Sequence, residues 1–386
     1  MATGIPATSS ESMLGAVLSS RYRLVRLLGE GGLGAVFEAQ DLASAGRCAV
    51  KVLRPEYAAE RRVRSQFYAE AQTATRLVHP NIARCYGHAP PEEPSSYVVG
   101  ELVDGASVAS YLRPGLAYEA QIAVPIVRGL LSAVAEAHRH GIVHGDIKPA
   151  NVFLIPRPDG PPVVKLLDFG IARVMEAAGG MMTRTRSGAF LGSPSYMSPE
   201  QVRHAGEIGP RSDLWSVGVI LYQLLTGREP FVAPTEAATL TLVLSGDPLA
   251  VDQGKPELSG WRGFFARALA REPGQRFASA AEMEAAIMDA AAAAGRGALG
   301  VSVTDMSPQL AHAVARSGAH AQIEVVRTPM HPPAFDGSRS KDSTLRAGQI
   351  PMLAPHGTHV PMWILVVVAL ICLLGGFLAG FVVASP

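Results

Sequence analysis

Two polar clusters, each next to an apolar strand-like run, constrain the fold more than any other feature. The first lies in IVHGDIKPANVFL and contains Asp146, Lys148 and Asn151; the second lies in VVKLLDFG and contains Asp168. Asp146 is placed to accept the proton of an attacking hydroxyl, and Lys148 can neutralise a phosphoryl group during its transfer. Asn151 and Asp168 carry the oxygen ligands that Mg²⁺ prefers. The pattern predicts a site for phosphate chemistry beside two strands.

A glycine-rich loop near the N-terminus gives a second phosphate-binding signal. The strand-like YRLVRLL ends at Leu28 and is followed by Gly29, Gly31, Gly34 and Val36 in GEGGLGAVFEA. Glycine lets backbone N–H groups approach phosphate oxygens without a Cβ in the way. Dinucleotide-binding folds share this spacing, but there a helix follows the loop. Here AVFEAQ is strand-like, which predicts a strand–loop–strand flap over phosphates.

A lysine inside an apolar strand indicates where the phosphates bind. Lys51 lies in RCAVKVL, and such a lysine costs free energy unless its charge is paired. The candidate partner is Glu70 in the helical segment SQFYAEAQTATRL, and the pair would hold the ammonium against the α- and β-phosphates. Taken without Lys51, Glu70 is better explained by a solvated helix face. Lysine is scarce among the 34 basic residues, yet it occupies both positions 51 and 148, where a compact ammonium is needed.

Together these motifs resemble the eukaryotic-type Ser/Thr protein kinases of bacteria, over residues 22–294. The same resemblance covers the HPNI turn, DFG from Asp168, SPE ending at Glu200, SDLWSVG with Asp213, and REPGQRF with Arg276. It implies an α+β, two-lobed kinase fold: a small antiparallel β-sheet lobe with helix C, and a mainly α-helical large lobe. It also implies ATP and Mg²⁺ as cofactors, and protein substrates with Ser or Thr hydroxyls.

The resemblance assigns roles to further residues. Glu101 and Val103, in YVVGELVDG, match the hinge that hydrogen-bonds adenine, and Asp213 matches the residue that supports the catalytic loop. Arg276 is expected to pair with Glu200. Autophosphorylation is expected in the activation segment, whose hydroxyl residues include Thr183, Thr185 and Ser187, with Ser193 in the GSPSYMSPE sequence typical of Ser/Thr rather than Tyr kinases.

The catalytic loop departs from the family at one position. It reads His144-Gly145-Asp146, where the family commonly has an arginine that grips a phosphorylated activation loop. Gly145 has no side chain for this purpose. We therefore expect phosphorylation of the segment to alter docking more than catalytic competence.

A glycine also replaces the bulky residue that usually precedes the hinge. If Gly100 holds that position, a pocket should open behind the adenine. A one-residue misalignment is the alternative explanation for the glycine. We expect inhibition by adenine analogues with bulky substituents, and loss of that inhibition in Gly100→Met. Equal potency on both proteins would contradict the prediction.

Two other functions fit parts of the sequence. His-Gly-Asp also resembles the catalytic loop of aminoglycoside and choline phosphotransferases, but those enzymes lack GSPSYMSPE and SDLWSVG. A membrane-tethered pseudokinase scaffold is the other alternative. Pseudokinases usually lose the nucleotide lysine, the base or a metal ligand, whereas this chain retains all of them.

The remaining regions differ in composition. We predict a flexible N-terminus at 1–21, a flexible linker rich in Pro, Gly and Ser at 295–360, and a transmembrane helix at 361–384, followed by residues 385–386. The helix segment has about 23 uncharged residues, long enough to cross a hydrocarbon core of ~30 Å. A buried core helix is the alternative, although core helices are shorter and carry a polar face.

Charges near this segment predict its orientation. Lys341 and Arg346 lie on its N-terminal side, which favours a single-pass protein of the inner cell membrane with the kinase domain in the cytoplasm. Gly376 and Gly380 form a small-xxx-small pair that would allow a homodimer. The net charge of +1 gives no support for nucleic-acid binding, and three scattered cysteines exclude a disulfide framework.

Overall fold

The small lobe is a six-stranded antiparallel sheet in the order β1-β2-β3-β4-β6-β5. Its strands are β1 (Val17–Leu18), β2 (Tyr22–Glu30), β3 (Gly34–Asp41), β4 (Arg47–Leu53), β5 (Cys85–His88) and β6 (Tyr97–Gly100). The computed structural model describes residues 10–90, 93–158, 160–169, 194–203 and 208–295. The predicted membrane helix, almost all of the predicted linker and most of the activation segment lie outside these residues.

Alternation of buried and half-buried positions along β3 and β4 places one face of the sheet in a small apolar core. Phe37 and Val50, which are cross-strand partners, have no exposed surface there. The strands predicted from AVFEAQ and RCAVKVL are confirmed.

The folded region begins before Tyr22, so the predicted flexible segment 1–21 is wrong in its second half. Strand β1 pairs with β2, with Leu18 opposite Tyr22. The Tyr97 hydroxyl donates to the Ser19 hydroxyl at 2.5 Å, and Ser19 donates to Glu93 at 2.6 Å. These long-range contacts add a short edge strand that has too few apolar residues to be recognised by periodicity.

Two helices lie between β4 and β5: α1 (Pro55–Ala59) and α2 (Arg61–Ala74). Helix α2 buries Val63, Phe67, Glu70 and Ala71, which fall at helical spacing on one face. This helix therefore directs Glu70 inward from the small lobe.

The large lobe contains a three-stranded sheet and most of the helices. Its elements are β7 (Ala106–Ser107), α3 (Val108–Tyr111), α4 (Ala120–Arg139), β8 (Val152–Ile155), β9 (Val163–Leu166), α5 (Pro199–Arg203), α6 (Pro210–Thr226), α7 (Glu236–Ser245), α8 (Arg262–Ala268) and α9 (Ala280–Gly295). Helix α6 is buried along nearly its whole length, so it forms the centre of this lobe. It begins at Pro210 and ends at Thr226, and it is capped by Gly227, whose φ of 73° suits a left-handed cap.

Helix α4 is long and apolar enough to span a membrane, the single such helix among the residues that the structure describes. It is instead a core helix of the large lobe, because half of the residues in its apolar stretch are buried, including Leu130 and Leu131. At Gly129 an added Cβ would lie 2.8 Å from Val164 Cγ2, so glycine allows α4 to pack closely against β9.

Candidate active site

The backbone of the catalytic loop is fixed by a carboxylate of α6. Asp213, 1% exposed, accepts hydrogen bonds from the N–H groups of His144 at 2.9 Å and Gly145 at 2.7 Å. Its Oδ2 also lies 2.7 Å from His138 Nε2 of α4. Asp213 is in the first turn of its helix, where the helix dipole favours a negative charge. The support role that the resemblance implied for Asp213 thus has a direct structural basis.

His144 connects the catalytic loop to the segment that carries Asp168. Its Nε2 lies 2.8 Å from the Leu167 carbonyl and donates to it, while Nδ1 accepts from the Asp146 N–H at 3.2 Å. These partners define the neutral tautomer protonated on Nε2. The ring also packs against Phe169, with 4.8 Å between centroids. The imidazole is fully buried, so it aligns the two polar segments rather than contacting a substrate.

Asp146, Lys148 and Asn151 converge at the end of the catalytic loop. Lys148 Nζ lies 2.8 Å from Asp146 Oδ2. Asn151 Nδ2 donates to the Asp146 carbonyl at 2.9 Å and to its carboxylate at 3.3 Å. Burial lowers the pKa of Lys148, but the Asp146 and Asp168 carboxylates outweigh it and raise the pKa above its usual value. Lys148 therefore remains a cation beside the carboxylate.

Asp168 meets the small lobe through Lys51. Lys51 Nζ lies 3.0 Å from Asp168 Oδ2, which joins β4 to the segment after β9. Burial raises the pKa of Asp168, but the positive charges of Lys51 and Lys148 outweigh it and hold the pKa below its ordinary value. Its backbone φ of 64° is in the left-handed region, which non-glycine residues rarely adopt and which is often found at functional sites.

Glu70 is buried, 8% exposed, and accepts a hydrogen bond from Gln66 at 2.5 Å. The alternative of a solvated helix face for this glutamate is therefore wrong. Lys51 forms its ion pair with Asp168, so the pairing of Lys51 with Glu70 stays a prediction.

The glycine-rich loop is a tight turn between β2 and β3. The Gly31 N–H donates to the Gly34 carbonyl at 2.8 Å, and Gly29 pairs with Val36. Leu28 lies at a register shift in β2, just before the loop. At Gly34 an added Cβ would lie 2.1 Å from the Val52 carbonyl oxygen, so only glycine fits there.

Glu101 of the predicted hinge forms an ion pair with Lys165 of β9, a contact that the sequence did not reveal. Glu101 Oε2 accepts from Lys165 Nζ at 2.8 Å and from the Arg84 N–H at 3.0 Å. Lys165 also donates to the Ile82 carbonyl at 3.3 Å. Among the described residues, the Glu101 carbonyl and the Val103 N–H have no hydrogen-bond partner. They remain available to an adenine.

Gly100 lies at the end of β6, opposite Ala49 and Cys85. An added Cβ there would lie 3.0 Å from the Arg84 carbonyl oxygen. Close approach of neighbouring strands is thus one physical reason for the glycine. Gly100→Met must move that carbonyl by a few tenths of an ångström, so its thermal stability should be measured beside its inhibitor sensitivity.

The end of the activation segment is attached to the large lobe and to the catalytic loop. Arg276 donates to Glu200 at 2.7 and 2.8 Å, the contact that the resemblance implied. Gln201 donates to the Gly145 carbonyl at 2.7 Å, so the segment also supports the loop residue that replaces arginine. The predicted phosphorylation sites, Thr183, Thr185 and Ser187, lie outside the described residues, and so does Ser193.

The two lobes, joined by a hinge and carrying convergent carboxylates, an amide and lysines between them, define the class of phosphoryl-transferring kinase folds. A model of the protein kinase domain matches residues 22–278. The serine/threonine-protein kinase pkn3 of Myxococcus xanthus is 35% identical over 72% of this chain and 51% of its own length. PknB of Mycolicibacterium smegmatis is 36% identical over 69% of this chain and 42% of its own length.

A solved structure gives the same result. The PknI kinase domain of Mycobacterium tuberculosis superimposes with a TM-score of 0.55 at 26% identity, covering 75% of this chain and 100% of that domain. The chain belongs to the protein kinase family, in the branch of eukaryotic-type Ser/Thr kinases of bacteria. It spans about half or less of the length of the curated relatives that it matches.

Proposed function

We propose that this chain transfers the γ-phosphoryl group of ATP to Ser or Thr hydroxyls of protein substrates, with Mg²⁺ as cofactor. The observation that carries the proposal is the convergence of Asp146, Lys148 and Asn151 with the Lys51–Asp168 ion pair. The relatives named Ser/Thr protein kinases support the same substrate class.

The oxygen atoms of the site fit a hard divalent cation. Among the described residues, Asn151 Oδ1 and Asp168 Oδ1 accept no hydrogen bond. Asn151 donates through its other polar atom, Nδ2, and Asp168 pairs with Lys51 through its other oxygen, Oδ2. An amide oxygen and an ionised carboxylate oxygen are suitable Mg²⁺ ligands. When bound, Mg²⁺ neutralises charge on the phosphate groups.

The chain's own residues supply positioning and charge. Asp146 orients the attacking hydroxyl and takes its proton, and Lys148 stabilises negative charge on the transferred group. Lys51 holds the non-transferred phosphates, and the hinge backbone at Glu101 and Val103 holds the adenine. Because the transition state of phosphoryl transfer is loose, most of the rate enhancement comes from this alignment.

The test is to incubate the full-length chain, in detergent, with γ-labelled ATP, Mg²⁺ and a basic protein substrate, and to identify the labelled amino acids. Label on serine or threonine supports the proposal. Binding of Mg-ATP without transfer would favour the pseudokinase scaffold. A parallel reaction contains an aminoglycoside or choline in place of the protein substrate, and label on that compound would favour the small-molecule phosphotransferase.

We expect substitution of Lys165 to weaken ATP binding, although Lys165 lies in β9 and acts through its ion pair with Glu101. Lys165→Met leaves the Glu101 carboxylate without its cation, so the hinge loses its connection to β9. Loss of a partly buried hydrogen bond between charged groups costs about 1.5–3 kcal/mol, part of which should appear as roughly a three- to tenfold weaker Kd for ATP. Isothermal titration with ATP would measure it.

The matched control for that variant is Lys255→Met. Lys255 lies at 3.5 Å from the Leu225 carbonyl in the large lobe, away from the hinge. Equal Kd values for Lys165→Met and the wild type would contradict the role of Lys165. Equal weakening in both variants would do so as well.

Activity should survive removal of the activation-segment threonines. The family's arginine is absent, and the Gly145 backbone is held instead by Asp213 and by Gln201, neither of which needs a phosphate. We expect Thr183→Ala with Thr185→Ala to keep kcat on a peptide within about threefold of the wild type. Loss of peptide phosphorylation in the double variant would contradict this.

We also propose that residues 361–384 anchor the chain in the inner cell membrane, with the kinase domain in the cytoplasm and a homodimer formed through Gly376 and Gly380. The length and lack of charge of the segment support this. The full chain should remain with membranes after an alkaline wash, whereas a chain ending at residue 360 should not. Gly376→Leu with Gly380→Leu should abolish crosslinking between copies in the membrane.

A further inference from the structure

The glycine-rich loop is bonded to the end of β4 through one residue, Arg54. The Arg54 side chain donates to the Gly31 carbonyl, through Nε at 3.3 Å and through Nη2 at 3.1 Å. The Arg54 backbone N–H donates to the Leu33 carbonyl at 2.9 Å. Two carbonyls of the loop, one on each side of Gly32, therefore accept hydrogen bonds from the same residue.

Arg54 is held in place by the elements on both sides of it. It directly follows Leu53, the last residue of β4, and its carbonyl accepts from the N–H groups of Tyr57 and Ala58 in α1. Leu53 and Leu33 are 4% and 5% exposed and belong to the same apolar core. The loop is thus attached to a fixed junction between a strand and a helix.

The bond to Arg54 determines how the loop presents its N–H groups. The Gly31 N–H donates to the Gly34 carbonyl at 2.8 Å, whereas the Gly31 carbonyl accepts from the Arg54 side chain. In a trans peptide unit C=O and N–H point in opposite directions, so fixing the Gly31 carbonyl also fixes the direction of the Gly32 N–H. Among the described residues, the N–H groups of Gly32 and Leu33 have no hydrogen-bond partner. They remain available to an anion.

A loop of this composition needs such an external bond. Gly31, Gly32 and Gly34 lose more conformational entropy on ordering than other residues would. If the ligand had to order the loop by itself, this cost would be subtracted from its binding free energy. The charged guanidinium also polarises the peptide unit between Gly31 and Gly32, which makes the Gly32 N–H a stronger donor.

We propose that Arg54 is a positioning residue, which orders the glycine-rich loop so that its N–H groups are ready to bind the phosphates of the nucleotide. This inference rests on the proposed function, because it takes ATP as the ligand. Arg54 acts through Gly31 and Leu33 and touches no reacting atom. Its contribution to affinity should therefore depend on the phosphates of the ligand and be absent for adenosine.

Three variants isolate the contribution of Arg54. Arg54→Met keeps most of the side-chain length and removes both donors, whereas Arg54→Lys keeps the charge and supplies one donor atom. Arg64→Met is the matched control. Arg64 lies in α2 of the same lobe, is exposed, and also donates to a backbone carbonyl, that of Ala58 at 3.3 Å, rather than to the loop.

The main measurement is the Kd for ATP and for adenosine, by isothermal titration with Mg²⁺ on the full-length chain in detergent. Arg54→Met should weaken ATP binding about three- to tenfold, the range for one or two hydrogen bonds, and leave adenosine binding within about twofold of the wild type. Arg54→Lys should recover part of the loss. Arg64→Met should bind both ligands like the wild type.

Hydrogen exchange without nucleotide tests the same bond independently of ligand binding. In Arg54→Met the amides of residues 27–36 should exchange faster than in the wild type, because the loop has lost both side-chain bonds. Exchange in α6, the central helix of the large lobe, should not change. Faster exchange in both places would indicate a general loss of stability and contradict a local role.

Unchanged ATP affinity in Arg54→Met would overturn the proposal, as would equal weakening for ATP and adenosine or equal weakening in Arg64→Met. Full recovery in Arg54→Lys would show that charge alone matters, against the bond to Gly31. Failure of the proposed function looks different. If ATP affinity depends on Arg54 but no phosphate is transferred, the role of Arg54 stands and the kinase activity does not. If phosphate is transferred and Arg54→Met binds ATP normally, the reverse holds.

Discussion

Asp146→Asn should lower kcat for phosphoryl transfer by roughly 10³-fold, the middle of the range for removing a general base. The amide has nearly the same shape as the carboxylate, but it cannot accept the hydroxyl proton. It also removes the anion that lies 2.8 Å from Lys148 Nζ and holds this ammonium in place. Both losses act on the transferred group, so the effect should appear in kcat.

The control for this variant separates chemistry from folding. ATP affinity should stay within about twofold of the wild type, because the proposed nucleotide contacts come from Lys51 and the hinge rather than from Asp146. Asp289→Asn makes the same chemical change at an exposed position of α9 and should have no effect. Wild-type turnover in Asp146→Asn would contradict the assignment of Asp146 as the base.

Sequence spacing was sufficient to predict the elements that carry local signals. The strand–loop–strand of the glycine-rich loop, the strand around Lys51 and the strands flanking Asp146 and Asp168 all have an apolar pattern bounded by turn residues. The general position of the site followed from these, since its polar residues lie at the strand ends.

Contacts made across long sequence separations were not predictable in the same way. His138 is an ordinary histidine near the end of an amphipathic helix, and nothing nearby indicates that it meets Asp213. Gln201 reaches Gly145, and Lys165 reaches Glu101, only because tertiary packing brings their elements together. Each is a polar residue whose partner lies more than 50 positions away, so local periodicity carries no information about it.

The largest effect on stability is expected at Arg276, whose side chain has no exposed surface. Besides Glu200, its guanidinium donates to the carbonyls of Ala270, Arg271 and Arg211, and it lies 4.8 Å from the Trp215 ring centroid. Arg276→Met leaves the Glu200 carboxylate buried without its cation. Breaking a buried pair from one side costs about 3–5 kcal/mol, which should lower the Tm of the kinase domain by roughly 6–15 °C.

A double-mutant cycle with Glu200→Gln tests the origin of that loss. The neutral amide removes the uncompensated charge, so Arg276→Met with Glu200→Gln should be less destabilised than the sum of the single variants. Strict additivity would mean that Arg276 acts through its carbonyl contacts and its packing on Trp215 alone. Arg276→Lys should restore little, since an ammonium cannot reproduce two parallel hydrogen bonds.

The pH dependence gives the same pair an independent signature. Burial raises the pKa of Glu200, but the hydrogen bonds and charge of Arg276 outweigh it and hold the pKa below its ordinary value of 4.5. A carboxyl whose pKa is lowered by folding stabilises the folded state above its unfolded pKa, and this contribution is lost as the pH falls through the folded value. The difference in Tm between the wild type and Arg276→Met should therefore be constant near neutral pH and shrink below about pH 4.5. A difference independent of pH would show that the ionised Glu200 carboxylate is not what Arg276 stabilises.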